Sequence, residues 1–471
     1  MKSIPYEAPE LPILLTISSY IYLLNIAEAT FNSLINAGLI GSLALGVIFG
    51  PEASNLLPDY IQHTFILLGY IGLLLLVFEA GLSTDISLLY HNIFLSLVVA
   101  LTGVGLPIAL SLLLLAHGYG YSLLQAFGAG AALCSTSLGT TLALLRPGLR
   151  QTKTGAVLLS AALLDDIIGL VFAAIIPNLP YEGSSSPNSI AWYTVARPIL
   201  VSLAFAFGTP ALAYILSRLL WKSPPLCRAR FFTKQMQLLL IVSVTSGFVA
   251  GAQYAGTSEL FGAYLAGTSL SYIFSVPTLP TLRVTTSQSQ VPCLHDMKDT
   301  FAVFIQPLLH HIFSPIFFAS IGMAIPIRSL VFVDGSRRVI WRGIVYSFLM
   351  ILAKTTVGAW MLVHKVSHPR LGWCYWSKKS MRSHKSNKKE SGNAKTELTH
   401  TQSAALVGLA MVARGEIALI VAQLARPLLV VGTFENNTEA YAVVIWAILI
   451  TTVSGALGVG LLLRSWDKML K

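Results

Sequence analysis

The sequence predicts an all-α protein that crosses a membrane many times. Its 471 residues are 55% hydrophobic and only 11% charged, with a mean hydropathy of +0.71, whereas soluble domains carry about 25% charged residues. Apolar runs of roughly 20 residues, enough to cross a hydrocarbon core of about 30 Å, recur between Leu11 and Leu463. Membrane barrels are instead built from strands of about ten residues with alternating polarity, so we expect helices.

We predict about thirteen spans within a single transmembrane domain that covers residues 1–471, with about 11–463 embedded. They lie near 11–29, 34–50, 62–80, 92–116, 121–145, 154–177, 191–217, 236–256, 259–275, 300–324, 339–363, 402–425 and 438–463. Two polar stretches interrupt this pattern, at 276–299 and at the basic segment 365–401. Their composition is typical of flexible loops, and we expect both in the cytosol.

The distribution of basic residues predicts the topology. If the C-terminus is cytosolic, the cytosolic loops hold 22 of the 31 Lys and Arg residues, nine of them between Lys365 and Lys395. The positive-inside rule then places the N-terminus outside or in a lumen and the C-terminus in the cytosol. The net charge of +11 is therefore a topology signal and indicates no nucleic-acid partner. The expected location is a plasma membrane or endomembrane, with lipid as the surrounding partner.

Two spans contain interruptions. The fifth carries the small polar run from Cys134 to Thr141, whose side chains compete for helical backbone hydrogen bonds. The twelfth carries Arg414 and Glu416 on either side of Gly415. If spans 2–6 and 9–13 form two inverted five-helix repeats, each interruption lies in the fourth helix of its repeat. The sequence thus predicts two crossing discontinuous helices that expose backbone groups to a bound ion.

Charged residues inside the spans point to the functional site. Asp165 and Asp166 lie near the middle of the sixth span, where an ionised side chain costs about 2.5–3.5 kcal/mol on insertion scales. A functional role is the default for such acids, and the alternative is a structural hydrogen bond to a neighbouring helix. Successive helical residues point about 100° apart, so the two acids should have different partners. Lys354, deep in the eleventh span, needs an anion, and either aspartate could supply it.

Arg414 and Glu416 are expected to be structural charges that hold the interrupted twelfth span. Two residues apart, they would not face each other on an intact helix, and a break at Gly415 would ease their burial. A direct role in ion passage is the alternative.

Several motifs occur along the chain in a fixed order: 46–51 (GVIFGP), 78–82 (FEAGL) with Asp85, Thr136-Ser137, Asp165-Asp166, 261–267 (FGAYLAG), 315–318 (PIFF) with Gly322, Lys354, and Arg414-Gly415-Glu416. In this order and spacing, they resemble the monovalent cation:proton antiporters of the sodium/proton exchanger superfamily, in the branch with paired aspartates. The resemblance covers nearly the whole chain.

The resemblance implies a homodimeric antiporter with a dimerisation domain, a mobile core and two broken helices that cross beside the aspartates. Asp166 is the implied ion carrier, and Asp165 is the implied partner of Lys354. Thr136 and Ser137 fall in the first broken helix, among the implied ion-binding residues, and Gly415 falls in the second. Ala413 stands where related proteins often have Pro, which bears on the shape of the second break.

The predicted activity is the exchange of Na⁺ or K⁺ for protons, in which Asp166 binds either a cation or a proton. No covalent step is needed, so we expect no enzymatic activity, no cofactor and no metal beyond the transported cation. One alternative is a sodium-coupled symporter of an organic anion with a similar inverted-repeat architecture. A second is a receptor or scaffold that does not transport.

Overall fold

A computed structural model gives the fold over residues 10–35, 37–84, 93–137, 152–179, 192–222, 231, 233–274, 297–325, 330, 338–367, 399–430 and 438–469. Within these ranges the regular structure is entirely helical, which confirms the all-α prediction. In chain order the helices are α1 (Leu11–Ile35), α2 (Gly38–Phe49), α3 (Asp59–Ser83), α4 (Ile93–Ser111), α5 (Leu123–Ala132), α6 (Lys153–Ile175), α7 (Trp192–Lys222), α8 (Lys234–Ala255), α9 (Glu259–Phe274), α10 (Met297–Phe304), α11 (Gln306–Leu308), α12 (Ser314–Met323), α13 (Arg338–Val357), α14 (Trp360–Ser367), α15 (His400–Ala410), α16 (Glu416–Leu424), α17 (Arg426–Leu429) and α18 (Glu439–Met469).

Eight helical segments within the described ranges are long and apolar enough to cross a membrane. They are Leu11–Leu34, Asp59–Ser83, Phe94–Gly118, Thr154–Asn178, Ala196–Leu220, Lys234–Ala255, Arg338–Val363 and Glu439–Leu463. A ninth crossing is formed if the segments Met297–Phe304 and Gln306–Met323, bent by 46° at their junction, count as one span. The protein is therefore an integral, multi-pass membrane protein.

The predicted number of thirteen spans is not confirmed. Four predicted spans correspond to shorter helices in the described residues: α2, α5, α9, and the pair α15 and α16. The pair is short because the backbone leaves the helix between Ala410 and Glu416, and α5 because it ends at Ala132, before the polar run. Apolar composition alone does not distinguish such helices from full spans.

The two predicted loops fall mostly outside the described residues, which omit 275–296 and 368–398. Their predicted ends need correction, because α10 begins at Met297, α14 runs to Ser367 and α15 begins at His400.

The described helices divide into two compact units. The first unit comprises Met1–Asp85, Gly169–Val339 and Leu419–Ala442. The second comprises Ile86–Ile168, Ile340–Ala418 and Val443–Lys471.

Close helix pairs in the first unit depend on glycine. A Cβ atom on Gly81 of α3 would overlap the carbonyl oxygen of Tyr264, and one on Gly267 of α9 would overlap that of Phe78. Each helix thus contributes a glycine to the same crossing. Small residues allow this approach, which supplies the van der Waals contact that drives helix association in a bilayer.

A bent helix with a π-helical segment, Leu309–Phe313, also lies in the first unit. Glu79 of α3 binds this bend: its Oε1 accepts a hydrogen bond from Gln306 Nε2 at 3.0 Å and lies 3.2 Å from His310 Nε2. Asn25 of α1 donates to the carbonyl of His311 at 2.8 Å. Polar side chains from two neighbouring helices therefore stabilise the irregular turn.

The second unit has its own apolar core, formed by α4, α6, α13, α15 and α18. Its fully buried side chains include Val99, Val157, Leu406 and Val459. A hydrogen bond of 2.9 Å between the buried hydroxyls of Thr154 and Ser403 joins α6 to α15. This packing fixes the helices that carry the intramembrane charges.

Candidate ion-binding site

Both predicted interruptions are present in the second unit. Capping boxes at Ser122 and Thr399 start α5 and α15, the helices that precede the breaks. The backbone is non-helical at 135–137 after the first and at 413–415 after the second. Unwound backbone presents N–H and C=O groups that would be hydrogen-bonded to each other within a continuous helix.

The two breaks touch each other. The N–H of Ser137 donates to the carbonyl of Ala413 at 3.0 Å. A Cβ atom on Gly415 would lie 2.5 Å from Ser137 Oγ and 2.6 Å from Ser137 Cβ, so only glycine fits there. Arg414 is fully buried, and its Nη1 donates to the carbonyl of Ser135 at 2.5 Å. A guanidinium from one break thus stabilises a carbonyl of the other.

A fully buried ion pair lies beside this meeting point. Lys354 Nζ of α13 is 2.7 Å from Asp165 Oδ2 of α6, and neither side chain is exposed. The Thr136 hydroxyl donates to the same Asp165 oxygen at 2.9 Å and accepts from Lys354 Nζ at 2.9 Å. Three residues from three segments of the chain therefore form a closed triangle of charge-assisted hydrogen bonds.

Asp166 follows Asp165 on α6 and is only 6% exposed. Because adjacent helical side chains diverge by about 100°, it faces a different direction from the ion pair. The structure therefore places both aspartates, Thr136, Ser137 and Lys354 in one region of the second unit. The transport role of each stays a prediction. Glu416 begins α16, but its side chain lies outside what the structure describes.

Some buried polar atoms of the described core have no hydrogen-bond partner. Asp165 Oδ1, Arg414 Nε and Arg414 Nη2 are buried and have no hydrogen-bond partner there. A buried carboxylate oxygen without a donor can accept a proton, a water molecule or a cation.

Sequence reasoning missed several groups around this site. The Met411 carbonyl lies 3.3 Å from the Thr136 hydroxyl, and Thr452 Oγ1 donates to the Arg414 carbonyl at 3.2 Å. Tyr346, fully buried on α13, shares a 2.6 Å hydrogen bond with Ser111. Every residue has a backbone carbonyl, so the sequence cannot show which carbonyl takes part in a site. Thr452 and Tyr346, however, are polar residues within apolar spans and could have been singled out.

A buried carboxylate–ammonium pair beside two interrupted helices, in a multi-pass membrane protein, defines a secondary transporter of ions. The chain belongs to the sodium/hydrogen exchanger family, whose transmembrane region matches residues 21–464.

Individual relatives agree with this assignment. The chain is 25% identical over 398 residues to the probable Na(+)/H(+) antiporter GerT of Bacillus cereus, covering 82% of this chain and 83% of that protein. It is also 25% identical over 393 residues to the Na(+)/H(+)-K(+) antiporter GerN of the same organism, covering 82% and 80%.

Among solved structures, the sodium proton antiporter MjNhaP1 from Methanocaldococcus jannaschii has a similar fold. The superposition has a TM-score of 0.57 at 13% sequence identity and covers 98% of each chain.

Proposed function

We propose that this protein is a secondary active antiporter that exchanges Na⁺ or K⁺ for protons by alternating access. One observation carries the proposal: the buried Asp165–Lys354 pair, bridged by Thr136, lies where two broken helices meet, with Asp166 buried next to it. The family assignment and the names of the relatives, which are Na⁺/H⁺ and Na⁺/H⁺-K⁺ antiporters, support the same activity.

Asp166 is the proposed carrier. Burial makes the ionised form of a carboxyl group costly at this depth, because it removes most of the water that would solvate the charge. Binding either a proton or an alkali cation removes that cost. Since the two ligands need the same oxygens, they compete, and the protein reorients only when one of them neutralises the charge.

Asp165 has a different proposed role. Its Oδ2 atom already accepts hydrogen bonds from Lys354 and Thr136, so the charge of the carboxylate is largely compensated. Its other oxygen has no partner in the described core and could add a ligand to a cation held by Asp166. The Thr136 and Ser137 hydroxyls and carbonyls of the breaks would supply further oxygen ligands, which suit hard cations.

The decisive experiment is a pH-gradient assay with purified protein in liposomes. A preset acidic interior, followed with a pH-sensitive dye, is challenged with Na⁺, K⁺, Li⁺ or choline in turn. We expect at least one alkali cation to collapse the gradient and choline to leave it. If no alkali cation acts, or if collapse also requires an organic anion as in the symporter alternative, the proposal is wrong.

We also infer that the protein forms homodimers with the N-terminus outside or lumenal. The dimer follows from the family resemblance, and the orientation follows from the excess of Lys and Arg in the loops predicted to be cytosolic. Light scattering of the detergent complex measures the oligomer. Protease protection of tags at the two termini measures the orientation.

A further inference from the structure

Helix α4 approaches the buried ion pair at Gly103. A Cβ atom at this buried position would lie 3.3 Å from Lys354 Nζ, 3.4 Å from Met411 Cε and 3.5 Å from Asp165 Oδ2. The first distance is shorter than an ordinary carbon contact with nitrogen. A side chain here would therefore press on the Lys354 ammonium and would touch Asp165 at an ordinary contact distance.

On this part of α4, the lack of space for a side chain is specific to position 103. Gly105 lies two residues further along α4, is exposed, and a Cβ atom there would meet nothing within 4 Å. The two glycines share a helix but differ in surroundings. Gly105 is therefore a matched control for any effect that glycine-to-alanine substitution has on α4 itself.

We propose that Gly103 is a positioning residue of the ion-binding site, where the bare backbone of α4 leaves Lys354 the room to pair with Asp165. Its role is exerted through Lys354, because the side chain at 103 would touch the ammonium and not the transported ion. The consequence for transport rests on the antiport activity proposed above.

Adding one methyl group at position 103 should move the ammonium. The Lys354 side chain has a flexible end, so it can shift by a few tenths of an ångström, but only away from α4. That shift lengthens the 2.7 Å contact with Asp165. It also disturbs the 2.9 Å hydrogen bond from Lys354 to Thr136, whose hydroxyl is one of the oxygens proposed to bind the cation. Cation binding should weaken more than the maximal rate of exchange.

The transport test compares Gly103→Ala with Gly105→Ala in proteoliposomes. We expect Gly103→Ala to raise the KM for the cation by about tenfold, the effect of a modest overpacking cost. It should also move the pH dependence of exchange, while the maximal rate stays within about twofold of wild type. Gly105→Ala should match wild type in all three. Equal behaviour of the two variants, whether both normal or both impaired, would overturn the proposal.

A second measurement does not depend on transport. The loss of thermal stability caused by Gly103→Ala is measured alone and in a Lys354→Met background. If position 103 acts through the ammonium, most of the loss should disappear when the ammonium is absent, because contacting residues couple. An equal loss in both backgrounds would show that Gly103 serves only helix packing. If wild-type protein failed to exchange ions, this cycle would still test the inference.

Discussion

Lys354 Nζ lies 2.7 Å from Asp165 Oδ2, and both side chains are fully buried. Neither charge is in contact with solvent, so each depends on the other. The net gain from such a pair is small, since desolvation offsets much of the attraction, but removal of one partner leaves an uncompensated charge.

Removing either partner should therefore destabilise the protein. We expect Asp165→Asn and Lys354→Met each to lower the free energy of unfolding by about 3–5 kcal/mol. The double variant should lose less than the sum, because it leaves no isolated charge. Unfolding followed by intrinsic fluorescence in detergent measures all three. Strictly additive losses would mean that the two groups do not interact.

The Asp166→Asn substitution should impair transport and not stability. We expect this variant to fold and keep the Asp165–Lys354 pair, but to lose cation-dependent proton flux, since a neutral amide cannot exchange a proton for a cation. Flux in liposomes and the elution profile of the purified variant are measured together. Asp165→Asn, assayed beside it, should instead change stability or the pH dependence of exchange. Full exchange by Asp166→Asn would remove this residue as the carrier.

The Thr136 hydroxyl should contribute through its two hydrogen bonds to charged groups. Thr136→Val keeps the shape but removes the hydroxyl, and should cost about 1.5–3 kcal/mol of stability. Thr136→Ser restores the hydroxyl and should recover most of that loss. Thermal unfolding of both variants provides the comparison. If the serine variant is no more stable than the valine variant, Thr136 contributes to stability through its shape and not through its hydrogen bonds.

The charged residues of the site could be predicted from the sequence, but their connections could not. Asp165, Asp166 and Lys354 are conspicuous because charges are costly inside apolar spans. The breaks were visible as a polar run and as charges around Gly415. Arg414, by contrast, is predicted from the sequence to hold the break in its own span. In the structure it donates a hydrogen bond to the carbonyl of Ser135 in the other break. Which carbonyl a guanidinium reaches depends on the fold, since every residue offers the same carbonyl group.

Gly415 should be intolerant of a side chain. A Cβ atom there would lie 2.5 Å from Ser137 Oγ, so Gly415→Ala must push the two breaks apart and should cost about 1–3 kcal/mol, with loss of exchange. Gly460→Ala on α18 is the control, because a Cβ atom at that position meets nothing within 4 Å. Unfolding and flux are measured for both. Wild-type exchange by Gly415→Ala would show that the breaks need not stay in contact.

The pairing of Asp165 with Lys354 also has a consequence for how the protein is made. The two residues are 189 positions apart in the chain, so at about 5–20 residues per second the aspartate leaves the ribosome roughly 10–40 seconds before the lysine. During that interval the nascent helix must enter the bilayer without its counter-charge. Burial disfavours the charged form of both groups, so each inserts at least cost uncharged, and the ion pair forms when the carboxyl group passes its proton to the arriving amine. Correct assembly of the membrane domain would thus end with a proton transfer.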